Sequence, residues 1–250
     1  MKRVVSSCAL LVLAIGTAAS AASDWTYDVS TGVFGNYVFR GIRRTSTADI
    51  TEGTASWQVT KPLSLNARAV NVMSFAPKNG DFENRYDLYG KYKATKTVSL
   101  SAGWLYYDWN KGISKGMGPD TQEAYGGIET TWLGIRPSAY VFYDYKYQRG
   151  LYAVATVSKS WALGKTGWTL DTLGAAGFDF GPRLGYGSAV APKINGFRNG
   201  LISADLNYQL AKGVEFGPRF DLQIPARAID PNKTRVNADA GLGFNLTGRF

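Results

Sequence analysis

The sequence predicts an all-β chain that closes into an antiparallel transmembrane β-barrel of about 12 strands, with short periplasmic turns and longer extracellular loops. Three observations carry that expectation. The final stretch, Val236 to Phe250, alternates: Val236, Ala238, Ala240, Leu242, Phe244, Leu246 and Phe250 fall on one parity, Asn237, Asp239, Asn245, Thr247 and Arg249 on the other. Successive strand side chains point to opposite faces, so one face is apolar and the other polar. The same alternation recurs in segments along the whole chain. The connections between those segments alternate between short turns and mostly longer loops, which a soluble sandwich has no reason to do.

The chain opens with Met1-Lys2-Arg3, an apolar run from Val4 to Ile15 and then small residues. Ala19-Ser20-Ala21 has the small-x-small form of a signal-peptidase site, so residues 1–21 read as a signal peptide and 22–250 as one barrel domain. The apolar run is shorter than the roughly 20 residues a spanning helix needs. Cys8 lies inside that run, so the mature chain has no Cys, and the whole chain has no His. No later stretch resembles a membrane helix, which leaves a closed barrel as the only way to span lipid, where unpaired backbone groups find no partner. Gly 29, Tyr 15, Phe 12 and Trp 7 suit a turn-rich β protein with interfacial aromatics.

The first strand is Trp25–Phe39, with Trp25, Tyr27, Val29, Val33, Tyr37 and Phe39 in one phase. A loop through Arg40-Gly41-Ile42-Arg43-Arg44 precedes a second strand at about Thr51–Val59. Lys61-Pro62 marks a turn, because proline cannot donate to a ladder. The third strand, Leu63 to about Met73, alternates to Ala69 and then blurs at Val70-Asn71-Val72, as a bulge or a strand end would. The loop around Ala76–Asp81 leads to a fourth strand, Arg85–Ala94, and Thr95-Lys96-Thr97 turns into a fifth, Val98–Tyr107. The glycine-rich loop Asn110–Pro119 follows, then a sixth strand, Gln122–Thr131, and a seventh, Arg136–Tyr147. Gln148-Arg149-Gly150 leads to an eighth, Leu151–Trp161, and the turn Leu163–Gly167 to a ninth, Trp168–Phe180. The longest loop, Gly181–Gly200, precedes Leu201–Leu210; Ala211-Lys212-Gly213 turns into Val214–Ile224; the loop Pro225–Arg235 reaches the closing strand.

Within these strands every charged residue from Asp28 onward except Lys159 lies on the polar phase. A soluble barrel would carry its charge outside. Here the polar faces are too charged for a packed core and the apolar faces too extensive for water, and charge facing lipid costs about 2–4 kcal/mol at the midplane. An apolar exterior around a polar interior removes the conflict. Lys159 lies near the turn-side end of its strand, where it can snorkel to the headgroups. Trp25, Tyr27, Trp168 and Phe250 fall at turn-side ends, and Tyr37, Phe39, Trp104, Tyr106, Tyr145, Tyr147, Phe178 and Phe180 at loop-side ends, as aromatic girdles require.

The formal net charge is +9. Its surplus sits in the long loops, at residues such as Arg40, Arg43, Arg44, Arg183 and Arg198, rather than in one nucleic-acid-binding stripe. A basic mouth drawing in anionic solutes would account for it, and contact with lipopolysaccharide phosphates would account for it slightly better. The inward charges, of both signs, either line a water-filled pore or pair and close it. The candidate wall and mouth residues are Arg40, Arg43, Arg85, Lys91, Glu123, Glu129, Asp144, Lys146, Arg219, Asp221 and Arg249, with Phe250 as the assembly signal. A narrow passive porin for small polar solutes is the primary expectation. The alternative is a non-conducting surface barrel whose basic loops bind lipopolysaccharide or a partner. The expected partners are outer-membrane lipid, lipopolysaccharide, the barrel-insertion machinery and small polar solutes, with no nucleic acid and no cofactor.

At Tyr37-Val38-Phe39-Arg40-Gly41 the chain resembles a family of uncharacterised Gram-negative outer-membrane proteins, the TorF-type porins, in which an early strand ends in a Y-x-F-R-G-like stretch. The specific match is Val33 to Gly41; the leader, repeated hairpins and closing Phe250 agree in layout. The resemblance implies an outer-membrane location more than a solute.

Absence of His removes Ser-His-Asp catalysis and His-based metal sites, so no enzymatic activity is expected. Glu123 and Glu129 lie six residues apart on one strand, roughly 20 Å at about 3.4 Å per residue, too far to cooperate as acid and base.

Overall fold

A computed structural model describes residues 24–39, 42–74, 82–109, 120–146, 149–180, 196–225 and 239–250. These form twelve strands: β1 (Trp25–Phe39), β2 (Ile42–Gln58), β3 (Leu63–Ser74), β4 (Phe82–Lys93), β5 (Val98–Trp109), β6 (Thr121–Thr130), β7 (Ile135–Asp144), β8 (Leu151–Ala162), β9 (Trp168–Phe180), β10 (Gly196–Ala211), β11 (Val214–Pro225) and β12 (Asp239–Arg249). Each strand pairs antiparallel with its neighbour in sequence, and β12 returns to β1, so the sheet closes. The closing register runs from Asp28 opposite Arg249 to Phe34 opposite Gly243. Phe250 completes it: Tyr27 N donates to Phe250 O at 3.0 Å and Phe250 N to Tyr27 O at 2.9 Å. The expected strand count, the short turns on one side and the pairing of first and last strands are all present. Gly164 and Gly213, at φ of 71° and 76°, supply the left-handed positions that the β8–β9 and β10–β11 turns need.

The apolar phase faces outward. Leu242 is 72 % exposed and Phe244 58 %, whereas Asp179 on the opposite phase is fully buried. That inversion of the soluble pattern is the one a lipid-facing exterior requires. Outward aromatics gather at both ends. Trp25 stacks on Trp57 at 5.9 Å near the turns. Near the loops Trp104 stacks on Tyr106 at 6.0 Å, and Trp104 Nε1 donates to Tyr145 Oη at 2.8 Å. Lys159 faces outward and holds its ammonium 3.8 Å from the Trp161 ring centroid, a position from which it snorkels along an aromatic to the turn-side interface. The side chains of Tyr37, Phe39 and Tyr147 lie outside the described residues.

Four sequence expectations are corrected. The first loop is not a loop from Arg40 to the second strand: β1 and β2 stay paired as far as Phe39 opposite Ile42, across a register shift at Tyr37/Val38. Arg43 is therefore a strand residue, opposite Val38. This long hairpin also places Asp49 on the outward phase, opposite Val33, where Thr31 Oγ1 donates to it at 3.4 Å. With 15 and 17 residues, β1 and β2 exceed the 9–11 or so that cross a bilayer, so their loop-side ends rise past the apolar belt and tolerate polar outward groups. Second, Val70-Asn71-Val72 is neither bulge nor strand end, since β3 keeps unbroken register with β2 and β4 through Met73. Val70 and Val72 point inward and pack with Ala48, Tyr107, Ile50 and Leu105 in an apolar cluster inside the barrel. Third, β10 begins at Gly196, so the loop before it is shorter than Gly181–Gly200. Fourth, Arg198 accordingly belongs to the wall rather than to a basic rim, buried with its Nε 3.4 Å from Asp179 Oδ2.

The polar lumen wall

The inner face is assembled from the polar phase of each strand, and its charges are matched mostly across strands. Arg68 on β3 grips Glu52 on β2 with both arms of its guanidinium, Nε to Oε1 at 2.8 Å and Nη2 to Oε2 at 2.7 Å, a bidentate geometry that fixes both side chains. Lys91 on β4 reaches past β5 to Glu129 on β6, which also accepts the Tyr140 hydroxyl from β7. Arg219 on β11 lies 3.0 Å from Asp221 and 3.7 Å from Asp205, and Asp205 also accepts from Asn245 Nδ2 at 2.8 Å. Arg249 faces Asp28 at 3.3 Å.

The expected wall residues therefore fall into three settings. Lys91, Glu129, Arg219 and Asp221 are partly exposed to the lumen. Arg249 is more open, with its side chain 68 % exposed near the turn-side mouth. Arg85, Glu123 and Asp144 lie deeper in the wall. Arg85 Nε is 3.1 Å from Glu83 Oε1, the Tyr107 hydroxyl donates to Glu123 at 3.1 Å, and Thr121 Oγ1 donates to Asp144 at 2.8 Å. Lys146 sits just beyond β7, exposed, its backbone N–H donating to Asp144 at 3.1 Å. Glu123 and Glu129 serve separate partners, as their spacing demands. Arg40 and the side chain of Arg43 lie outside the described residues.

Burial is graded along the axis. Toward the loop side, Glu83, Glu123, Asp144, Asp179, Arg198 and Asn199 are buried, at the same end of the barrel as the apolar cluster. Toward the turns, the Arg68–Glu52 and Lys91–Glu129 pairs are about one-third exposed. Water-accessible cavities open into the interior, and two of them hold most of the expected wall residues. One, of about 400 Å³, lies against β9–β12, β1 and β2 and carries Glu52, Asp171, Asp205, Glu215 and Asp221 against Arg219 and Arg249. The other, of about 450 Å³, lies against β3–β8 and carries Arg68, Arg85 and Lys91 against Asp87 and Glu129. The first is acidic and the second is close to neutral.

The second cavity contains what sequence reasoning missed: inward aromatics. Tyr89, Tyr125, Tyr140 and Phe142 line it. Inward glycines make room for the rings. Gly103 is paired with Tyr89 on one side and Tyr125 on the other, and Gly127 is paired with Tyr140. A methyl group at Gly103 would meet Tyr89 Cβ at 2.6 Å and Tyr125 Cε1 at 2.8 Å, and one at Gly127 would overlap the Tyr140 ring. The rings thus lie down over glycine, an arrangement that also shields the glycine backbone. The signal was present in the sequence, because Gly103, Tyr125, Gly127 and Tyr140 all fall on the polar parity.

No family model matches the chain, and no curated protein is similar to it in sequence. Its fold is shared with solved structures. The NanC porin is 11% identical, with 89% of this chain and 98% of that chain covered and a TM-score of 0.53. An outer membrane channel from Pseudomonas putida F1 is 9% identical over 92% of this chain and 96% of that one, with a TM-score of 0.57. LpxR from Salmonella typhimurium is 10% identical over 88% and 99%, with a TM-score of 0.51. At such identities the likeness establishes the outer-membrane barrel architecture, and function has to be argued from the site.

Proposed function

We propose that this chain is a narrow passive channel for small polar solutes in the outer membrane of a Gram-negative bacterium, reached through a cleaved leader at residues 1–21. The observation that supports this most is the pairing of an apolar, aromatic-girdled exterior with water-accessible cavities of about 400 and 450 Å³ inside the closed sheet. The wall around them holds fixed charges and hydroxyls whose partners lie in the wall itself, so it can solvate a passing solute without rearranging. The NanC porin and the Pseudomonas channel, which share the architecture, agree with this reading by their names. The resemblance to TorF-type porins at Val33–Gly41 agrees in location.

Purified protein in a planar bilayer is expected to give ohmic single-channel steps. A second reading, a barrel that does not conduct and binds lipopolysaccharide or a protein through its basic loops, draws on the buried, partly apolar loop-side half of the interior. Correctly folded protein that stays electrically silent would favour that reading and sink the channel.

The acidic cavity yields a sharper expectation. Arg219 is the cation shared by Asp205 and Asp221. A unit charge at about 6 Å in water is worth about 0.7 kcal/mol, roughly a threefold change in local cation concentration. Arg219→Ala is therefore expected to move the reversal potential under a low-salt KCl gradient toward potassium. A shift toward chloride would contradict the placement of Arg219 in the conducting path. Low salt matters because the Debye length shrinks to about 3 Å at 1 M.

A further inference from the structure

We infer that the cavity against β3–β8 is a binding site for a neutral sugar ring, a hexopyranose taken up face-on against Tyr125, Tyr140 and Phe142. The inference deepens the channel reading and rests on it.

The first observation is the ring array. Tyr125 and Phe142 have centroids 5.1 Å apart with planes 30° from parallel, and Tyr140 lies 6.2 Å from Tyr125 and 6.3 Å from Phe142. This is one contiguous aromatic platform across β6 and β7. Tyr140 lies over Gly127 and the edge of Tyr125 over Gly103, Tyr125 and Phe142 overlap in an offset stack, and all three rings line the water-accessible cavity. All three rings are partly accessible rather than buried. An aromatic face is electron-rich, and the axial C–H groups on one side of a pyranose form the complementary surface, apolar and slightly positive.

The second observation is how the hydroxyls are used. Tyr125 Oη donates to Asp87 at 2.9 Å, and the Tyr140 hydroxyl donates to Glu129. These bonds hold the rings in fixed orientation, so the platform exists before a ligand arrives and little ordering cost falls on binding. Each of these carboxylates has oxygen lone pairs beyond the one that the tyrosine uses, and accepts from sugar hydroxyls at the platform's edge. The Tyr89 side chain lines the same wall.

The third observation is charge. Arg68, Arg85 and Lys91 are paired with Glu52, Glu83 and Glu129. No excess cation is left to hold an anionic group, so the ligand is neutral. A cavity of about 450 Å³ lies within the roughly 300–1,000 Å³ of small-molecule sites, and it combines apolar faces with a few placed polar groups as such sites do.

The test uses the full mature chain folded in detergent micelles, with glucose and its open-chain alditol sorbitol as probes. Saturation-transfer NMR needs no conduction and reads weak binding. Saturation is expected at the glucose ring C–H protons, strongest on one face, and not on sorbitol. Phe142→Leu removes a ring without touching a hydroxyl tie and is expected to weaken glucose binding roughly three- to tenfold. Tyr125→Phe keeps all three rings but releases one hydroxyl tie, and is expected to weaken glucose binding less than Phe142→Leu does. The heat-dependent gel shift certifies that each variant is folded, and Tyr140→Leu substitutes if Phe142→Leu does not fold. Equal signals from glucose and sorbitol, no signal from either, or unchanged binding in a folded ring-removal variant would each overturn the site. Conductance without glucose binding would sink the site and leave the channel standing. Glucose binding by an electrically silent barrel would sink the channel and keep the site.

Discussion

Deleting Phe250 is expected to leave most of the chain unassembled, measured as loss of the heat-modifiable folded band in membranes and as failure to refold into lipid vesicles. The closing seam is where the deletion acts. Phe250 both donates to and accepts from Tyr27, and these two bonds extend the β1–β12 register beyond Asp28 opposite Arg249. Two such bonds contribute about 1–3 kcal/mol together, which alone lowers the folded fraction of a marginal barrel severalfold. In cells the effect is expected to be larger, because the terminal aromatic is also the proposed signal for the insertion machinery. Phe250→Ala separates the two roles. It keeps the backbone bonds, so refolding in vitro should be nearly normal while insertion in cells falls. Normal insertion of the deleted chain would remove both roles.

The second large effect is at Gly217. A side chain there would be driven into the backbone carbonyl of Leu206 on the neighbouring strand. This is where β10 and β11 lose regular pairing, between Asp205 opposite Arg219 and Tyr208 opposite Phe216. Pro218 adds to the irregularity, since it has no N–H to donate. Overpacking against flexible side chains costs about 1–3 kcal/mol, and backbone cannot move aside as a side chain can. Gly217→Val is expected to abolish the folded species in the same gel and vesicle assays. Gly53→Ala is the matched control: nothing lies within 4 Å of the added carbon, and folding should be unchanged. A Gly217→Val protein that folds as well as Gly53→Ala would show that the two strands can separate locally without loss of closure.

The parts of the architecture legible in the sequence follow from the period of the strand. Alternation in the closing stretch and in segments such as Leu201–Leu210 identifies two faces, and the charges identify the wet one. The outward placement of Lys159 and the seam between the first and last strands followed from that pattern. Period alone does not say where the polar face becomes apolar, so Val70 and Val72 looked like an irregularity when they are inward residues of a dry patch. It also fails where pairing shifts register, at Tyr37/Val38, and hides the extension of β2 back to Ile42. The site was legible only as a set of inward charges. Which charge meets which depends on the curvature of a closed sheet, as with Lys91 and Glu129, on strands that are not neighbours. The tyrosines escaped notice because an aromatic on the polar parity looks like noise until the glycine beside it is read as the space that receives it.

The unequal strands have a consequence for the approach of a solute. β2 has 17 residues and β10 has 16, while β6 and β7 have 10 each. Seven residues amount to roughly 23 Å along a strand at about 3.3 Å each. The two shortest strands, β6 and β7, carry Tyr125, Tyr140 and Phe142, each within four residues of a loop-side strand end at Thr121 or Asp144. On the channel reading proposed above, a solute entering from the loop side therefore meets the rings early in its passage.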